Sequence, residues 1–255
     1  LLFSGFTAYV YGLFSLLAVA IYMMYYNLSM GYANFEYALM GASFAFLITV
    51  PVITMRVISE EKKQKTDQLL YSLPVSATQI VAGKYLALLI TSVIPLSAVT
   101  VYPLILRNYG NLYLPTAFGT LLGYIMLAAS LLAIGIFISS VTESPAMAAG
   151  ICFGVMILNY YMVTLAEYVT SSAYGSLAAL LVIELILAFL IQHMTANDFL
   201  APAIGIAAMA ATVGAYIYNR DWFEGLFPAI LEKLSVYERL YEFVDGVFDY
   251  THVVY

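Results

Sequence analysis

Seven apolar stretches occupy most of this 255-residue chain, at residues 6–26, 37–57, 80–106, 116–140, 145–168, 172–193 and 199–218. A helix needs about 20 apolar residues to cross the hydrocarbon of a bilayer. Each stretch reaches or approaches that length. In lipid a helix bonds all its backbone groups within its own segment, so such a chain folds there as helices. Composition agrees: 64% of the residues are hydrophobic and 9% charged, against about 25% charged in soluble domains. No single soluble core of this length would enclose so much apolar surface. The fold class is therefore all-α integral membrane. The expected architecture is a polytopic transmembrane helix bundle, one transmembrane domain over residues 1–255.

Charge is segregated within a formal net charge of −6. Five of the nine Lys and Arg residues, Arg56, Lys62, Lys63, Lys65 and Lys84, surround the connection after the second stretch. Basic connections stay in the cytoplasm. Alternation then puts residues 141–144 and 192–198 inside, and 28–36, 107–114 and 168–172 outside. The segment 219–251, with acids crowded from Asp221 to Asp249, also falls outside. No broad basic face invites nucleic acid. The single Cys152 lies in an apolar run, which excludes an internal disulfide and reads as a small buried residue. His193 and Asp198 share a connection, but two residues do not make a metal site, and no metal site is expected. The chain opens at Leu1 with no basic stretch or small-residue cleavage site before the first apolar run, so no signal peptide is expected. Val253-Val254-Tyr255 reads as the start of a further apolar segment, and both natural ends are expected to lie beyond this sequence. Pro51, Pro95 and Pro103 should kink or locally unwind their helices. Tyrosines gather near the ends of the stretches, as at Tyr22, Tyr25 and Tyr26, where rings favour the headgroup level.

The most informative segment runs from Ser59 to Pro74. Thr66, Leu69, Leu70 and Leu73 fit the i, i+3, i+4, i+7 face of one helix. The other faces are charged, and Glu60 and Glu61 occupy a first turn, where the helix dipole favours acids. Pro74 ends the pattern. The spacing predicts one short amphipathic helix over about 59–74, on the cytoplasmic side. Ser76 and Gln79 then form a capping box, with Val75 and Ile80 as its staple. The next helix starts at about Ala77, and through Leu106 it would be about 45 Å long.

These residues resemble a known family. Glu60-Glu61-Lys62-Lys63, Thr66, Leu69-Leu70, Pro74-Val75-Ser76 and Ile80-Val81-Ala82-Gly83-Lys84-Tyr85 are similar, in order and spacing, to the ABC-2-type permeases of ABC transporters, most of all their gliding-motility-type branch. Ser139-Ser140-Val141-Thr142-Glu143 resembles the family's loop after the fourth span. Phe243, Gly246, Val247 and Asp249 resemble its stretch before the last span. Lys65 stands where the family usually has glycine, Gln68 where an acid is frequent, and residues 172–218 add two spans to the usual six.

The resemblance implies that the segment over 59–74 is a coupling helix that docks in a groove of a separate ATP-binding cassette subunit. Its contacts would be Glu60, Glu61, Lys62, Lys63, Thr66, Leu69, Leu70 and Leu73, with Glu143 as a second point. An amphipathic helix in a groove presents such spaced anchors. The same lysines would also suit a helix lying on anionic lipid. Further implied partners are a second permease chain, as homo- or heterodimer, and membrane lipid. This chain has no Walker loop, since Gly83-Lys84 lacks the upstream glycine and the following Ser or Thr. It would carry no catalytic residue and no cofactor of its own, and ATP and Mg would bind the partner subunit.

Glu184 is the one acid inside residues 177–190. An ionisable group at such a position marks a candidate intramembrane polar site. Facing inward, it would take a hydrogen-bond partner, expected to be a tyrosine hydroxyl; alternatively it serves packing alone. The outer segment shows two amphipathic patterns suited to interfacial helices: Phe223, Leu226, Phe227, Ile230, Leu231 and Leu234, with Pro228, then Tyr237, Leu240, Tyr241, Val244 and Phe248 after a Ser235/Glu238 capping box. The reading is the membrane permease of an ABC exporter in a cell membrane, expected to be a bacterial cytoplasmic one. Its rivals are an ATPase-coupled complex doing mechanical or regulatory work without a transported solute, and a secondary transporter, which would need several buried ionisable groups.

Overall fold

The computed structural model describes residues 6–32, 34–68, 74–168, 172–195 and 200–246, and these are helical with no strand among them. Helix α1 (Phe6–Met23) continues through a π turn, Met24–Ser29. Asn27 donates to the carbonyls of Tyr32 (2.6 Å) and Asn34 (3.2 Å), closing the connection to the next helix. Then come α2 (Phe35–Ala42), a 3-10 turn (Ser43–Ala45), α3 (Phe46–Thr54) and α4 (Ser59–Gln64). The predicted capping box is present. Ser76 Oγ accepts from the Gln79 N–H (3.3 Å), and Gln79 Oε1 accepts from the Ser76 N–H (3.0 Å). It starts α5 (Ala77–Val99) at the expected residue.

Prolines act unequally. Pro103 has no N–H for the carbonyl of Val99 and its ring crowds that carbonyl. The helix accordingly stops at Val99 and restarts as α6 (Val101–Leu106). Pro51 lies inside α3 and Pro95 inside α5 without interrupting them. Pro95 lies over Gly12 of α1, where an added Cβ would sit 3.7 Å from its Cβ. The remaining helices are α7 (Leu114–Val141), α8 (Pro145–Tyr168), α9 (Ala173–Thr195), α10 (Leu200–Tyr218), a 3-10 turn (Arg220–Phe223), α11 (Leu226–Leu234) and α12 (Val236–Val244).

Among the described residues, five helical segments are long and apolar enough to cross a membrane: Tyr9–Ser29, Phe35–Gln64, Ala77–Leu106, Leu114–Val141 and Pro145–Tyr168. They coincide with the first five stretches read from sequence. The last two stretches are helical as α9 and α10. Their described apolar portions, Ala173–Ala188 and Ala203–Tyr218, are shorter than a full span.

The chain forms two compact units, Leu1–Tyr160 with Val236–Tyr255, and Tyr161–Ser235. In the first, α7 is the axis, with α2, α3, α5 and α12 packed against it. Its buried face includes Leu121, Tyr124, Leu127, Leu131 and Leu132. Small residues let backbones close in, as membrane helices require. A Cβ on Gly135 would lie 2.5 Å from Thr54 Oγ1, and one on Gly123 would lie 2.7 Å from the Phe243 ring. In the second unit α9 and α10 pair closely, with Gly205 against Ala188. Helix α11 returns to α9, where the Phe227 N–H donates to Ser176 Oγ (3.3 Å).

The outer patterns become α11 and α12. Helix α11 starts at Leu226 and holds Pro228 in its first turn, where proline forfeits no helical bond. In α12, Tyr237, Leu240 and Val244 are buried as the pattern implied, while Tyr241 is 38% exposed. Phe243, off that pattern, is buried because Gly123 leaves a notch for its ring. Phe248 lies outside the described residues.

Candidate functional site

The sequence places its most specific motif on the elbow between α3 and α5. The backbone leaves the helical path at Met55–Ile58, and α4 begins at Ser59. The first N–H groups of a helix have no partner inside it. Here Ser139, fully buried near the end of α7, supplies one: its Oγ accepts from the N–H groups of Ile58 (3.2 Å) and Ser59 (3.1 Å). The same hydroxyl donates to the Met55 carbonyl (3.4 Å), so its donor and both acceptor positions are used. Lys62 Nζ donates to the Ser140 carbonyl, in the last turn of α7. A cation there meets carbonyls without helical partners and the negative end of the helix dipole.

On the other side, Lys84 of α5 donates to the Val57 carbonyl (2.9 Å) and to Glu61 Oε2, with which it forms an ion pair. The Lys84 side chain is 16% exposed and that of Glu61 32%. A cavity of about 60 Å³ beside the pair is lined by residues that include Lys62, Asp67 and Ile80.

Helix α4 is six residues long, which corrects the single helix read over 59–74. It ends where Lys65 takes the left-handed conformation at φ 57°. The Thr66 N–H reaches back to the Glu61 carbonyl (2.9 Å) and the Lys65 N–H to that of Lys62 (3.1 Å), a complete Schellman closure. That closure favours glycine at the left-handed residue, which explains the family's usual glycine at the position held here by Lys65. Thr66 is half-buried against the closure, its Oγ1 3.3 Å from the Glu61 carbonyl. Leu69, Leu70 and Leu73 lie outside the described residues.

The elbow therefore has two sides. Glu61 and Lys62 are bonded within the chain. Lys63, Gln64, Lys65 and Gln68 are exposed, and Glu60 is half-exposed with its Oε1 held by Gln64 Nε2 (2.7 Å). Glu143 is exposed in the turn after α7, at the same end of this unit as α4. A family model described as "ABC-2 family transporter protein" matches residues 6–204. The chain belongs to that family. It is a multi-pass membrane permease of an ABC transporter, of a family that works with an ATP-binding cassette subunit. No curated protein and no solved structure matches the chain.

Two further features of this ABC-2 permease bear on its function. Glu184 of α9 has its hydrogen-bond partner on α10, but it is Thr212 that donates to Oε1, not a tyrosine. The other oxygen, Oε2, has no partner among the described residues. Sequence reading missed Asn159, whose Oδ1 accepts the Val236 N–H (3.1 Å) at the start of α12. Its signal was available: an Asn inside an apolar span marks a paired polar group. It also took Lys84 only as part of a motif and of the basic cluster, not as a partner of Glu61. A lysine two turns into a helix that starts at Ala77 lies within reach of the acidic turn Glu60-Glu61 that precedes it in the chain, which was the clue to its pairing.

Proposed function

We propose that this permease is half of an exporter of the gliding-motility-type branch. It pairs with a second permease chain, and an ATP-binding subunit docks on the exposed side of the elbow. ATP and Mg bind in that subunit, substrate leaves outward, and this chain makes and breaks no covalent bond. The elbow projects into the cytoplasm, as its basic residues require. The observation that carries the reading is the two-sidedness of the elbow: Lys63, Gln64 and Lys65 are exposed at its tip, while Glu61 and Lys62 anchor it to the permease. Glu60, Lys63, Thr66 and the apolar positions Leu69, Leu70 and Leu73 would meet the groove, and Glu143 would touch its rim.

Co-expression of the chain with its ATP-binding subunit tests the reading. Leu69→Asp with Leu70→Asp puts two charges where apolar anchors belong, and a buried unpaired charge costs several kcal/mol. The double variant should insert in the membrane yet fail to retain the subunit. Normal co-purification of the double variant would defeat the docking site. Retention of the subunit without ATP-dependent movement of any solute into or out of vesicles would favour the mechanical role.

A further inference from the structure

The elbow is attached to the permease on two flanks by side chains far apart in sequence. On the α7 flank, Ser139 holds the N–H groups of Ile58 and Ser59, and Lys62 holds the Ser140 carbonyl. On the α5 flank, Lys84 holds the Val57 carbonyl and Glu61. A helix of six residues has too few internal bonds to keep its own orientation, so these contacts set it. Every one of them ends on α4 or on the turn that precedes it. The turn itself, Met55–Ile58, leaves the regular helix and is tied to α3 by the Met55 N–H to the Pro51 carbonyl (2.9 Å) and the Val57 N–H to the Thr54 carbonyl (3.1 Å), so it is where α4 would pivot.

We infer that Glu61, Lys62, Lys84 and Ser139 form a clamp that fixes α4 to the first turns of α5 and the end of α7, so that a displacement of the elbow moves the three helices together. The inference rests on the docking role proposed above. These are positioning residues: they act through the elbow and touch no nucleotide. The Glu61–Lys84 pair is the adjustable part of the clamp. It joins α4 to α5 through residues 23 positions apart in the chain. Its partial burial strengthens the attraction beyond that of a surface pair. Without it, α4 stays attached to α7 but can swing away from α5, and motion delivered at the tip is absorbed at the turn. Coupling is shown by a two-state element that responds at both ends, not by proximity, so the test must read relative motion.

In a Cys152→Ala background, spin labels at Gln64 and at Ala82 report the distance between α4 and α5, and labels at Gln64 and Phe137 the distance between α4 and α7. Gln64 is exposed beyond the clamp, Ala82 is exposed on α5 and Phe137 is 68% exposed on α7. The complex with its ATP-binding subunit is measured without nucleotide and after trapping with ATP and vanadate. With the clamp intact, both pairs should give one narrow distance, the same in both states. Glu61→Gln and Lys84→Met should each add a second, longer Gln64–Ala82 distance, more of it in Lys84→Met, which also loses the donor to the Val57 carbonyl, while Lys84→Arg keeps a donor for both acceptors and the single distance. A distance that shifts on trapping with the clamp intact overturns the inference, as does a single unchanged distance in both Glu61→Gln and Lys84→Met. A second distance in Lys84→Arg also overturns it, because the charge and both hydrogen bonds are kept there and only the packing differs. Co-purification is read separately. If no ATP-binding subunit accompanies the unaltered chain, the docking proposal fails, while the nucleotide-free distances in the full chain still decide the clamp.

Discussion

The two ends of α7 hold their neighbours by different physics. At its C-terminal end, Ser139 and Ser140 hold the elbow through hydrogen bonds and a lysine head group. Toward its N-terminal end, α12 is seated by a close fit of shape. Gly123 admits the ring of Phe243, and Leu240 and Tyr237 are buried beside it. Directional bonds assist there: Thr120 Oγ1 donates to the Phe243 carbonyl (3.1 Å), and Asn159 holds the start of the helix. Hydrogen bonds fix orientation and leave volume unspecified. Packing fixes volume and punishes any added atom. The elbow end is thus built to transmit direction, and the α12 end to be filled.

Substitutions at four positions press on this contrast. The largest effect belongs at the packed end. Gly123→Leu drives a side chain into the Phe243 ring, since even a Cβ would lie 2.7 Å from it. A loss of about 3 kcal/mol is expected, at the upper end for overpacking, read as a fall in the unfolding midpoint in detergent. A midpoint unchanged by Gly123→Leu would show that α12 is not seated against α7.

At the bonded end, Ser139→Ala adds no atom and leaves the Ile58 and Ser59 N–H groups without their acceptor. An unsatisfied buried donor costs roughly 1–3 kcal/mol, so a loss of about 2 kcal/mol is expected. Faster amide exchange should be confined to residues 58 and 59. Exchange that stays slow there would mean another acceptor takes over.

The second unit offers an intermediate case. Glu184→Leu strands the Thr212 hydroxyl, though Thr212 keeps a bond to the Ala208 carbonyl (3.2 Å). The loss should be about 1 kcal/mol, and Glu184→Gln should stay level because its amide oxygen accepts the same bond. A more stable Leu variant would place the carboxyl against lipid. The smallest effect carries the opposite sign: Lys65→Gly relieves the left-handed strain at φ 57° and should add about 0.5–1 kcal/mol of stability, the relief of strain reduced by glycine's greater freedom in the unfolded chain. A destabilised Lys65→Gly would mean that the lysine side chain contributes more than its backbone strain removes.

Much of the helical framework was legible in advance, because it rests on local rules. The apolar lengths of the first five stretches became five helical segments, and Ser76 and Gln79 capped α5 where the motif placed them. The elbow was legible as a place but not as a shape. Periodicity treated Ser59 to Leu73 as one helix with Thr66, Leu69, Leu70 and Leu73 on one face, and had no term for the left-handed turn at Lys65, although the glycine usual at that position was the hint. Glu60, Glu61, Lys62 and Lys63 read alike as charged residues on a helix. Only the fold separates Glu61 and Lys62, which bond inward, from Lys63, which is exposed.

The sequence by itself determined that this chain lives in lipid as helices, where most of them start and stop, and which connection carries the family's motif. Those properties follow from hydropathy, capping and proline chemistry within a few residues of each position. The tertiary structure alone decided the partners: Lys84 for Glu61, Ser139 for the start of α4, Thr212 for Glu184, and the Gly123 notch for Phe243. Each pair joins residues 20 or more positions apart. A periodic pattern gives the face on which a side chain lies, but which distant group meets it depends on how neighbouring helices cross, and that is set by packing.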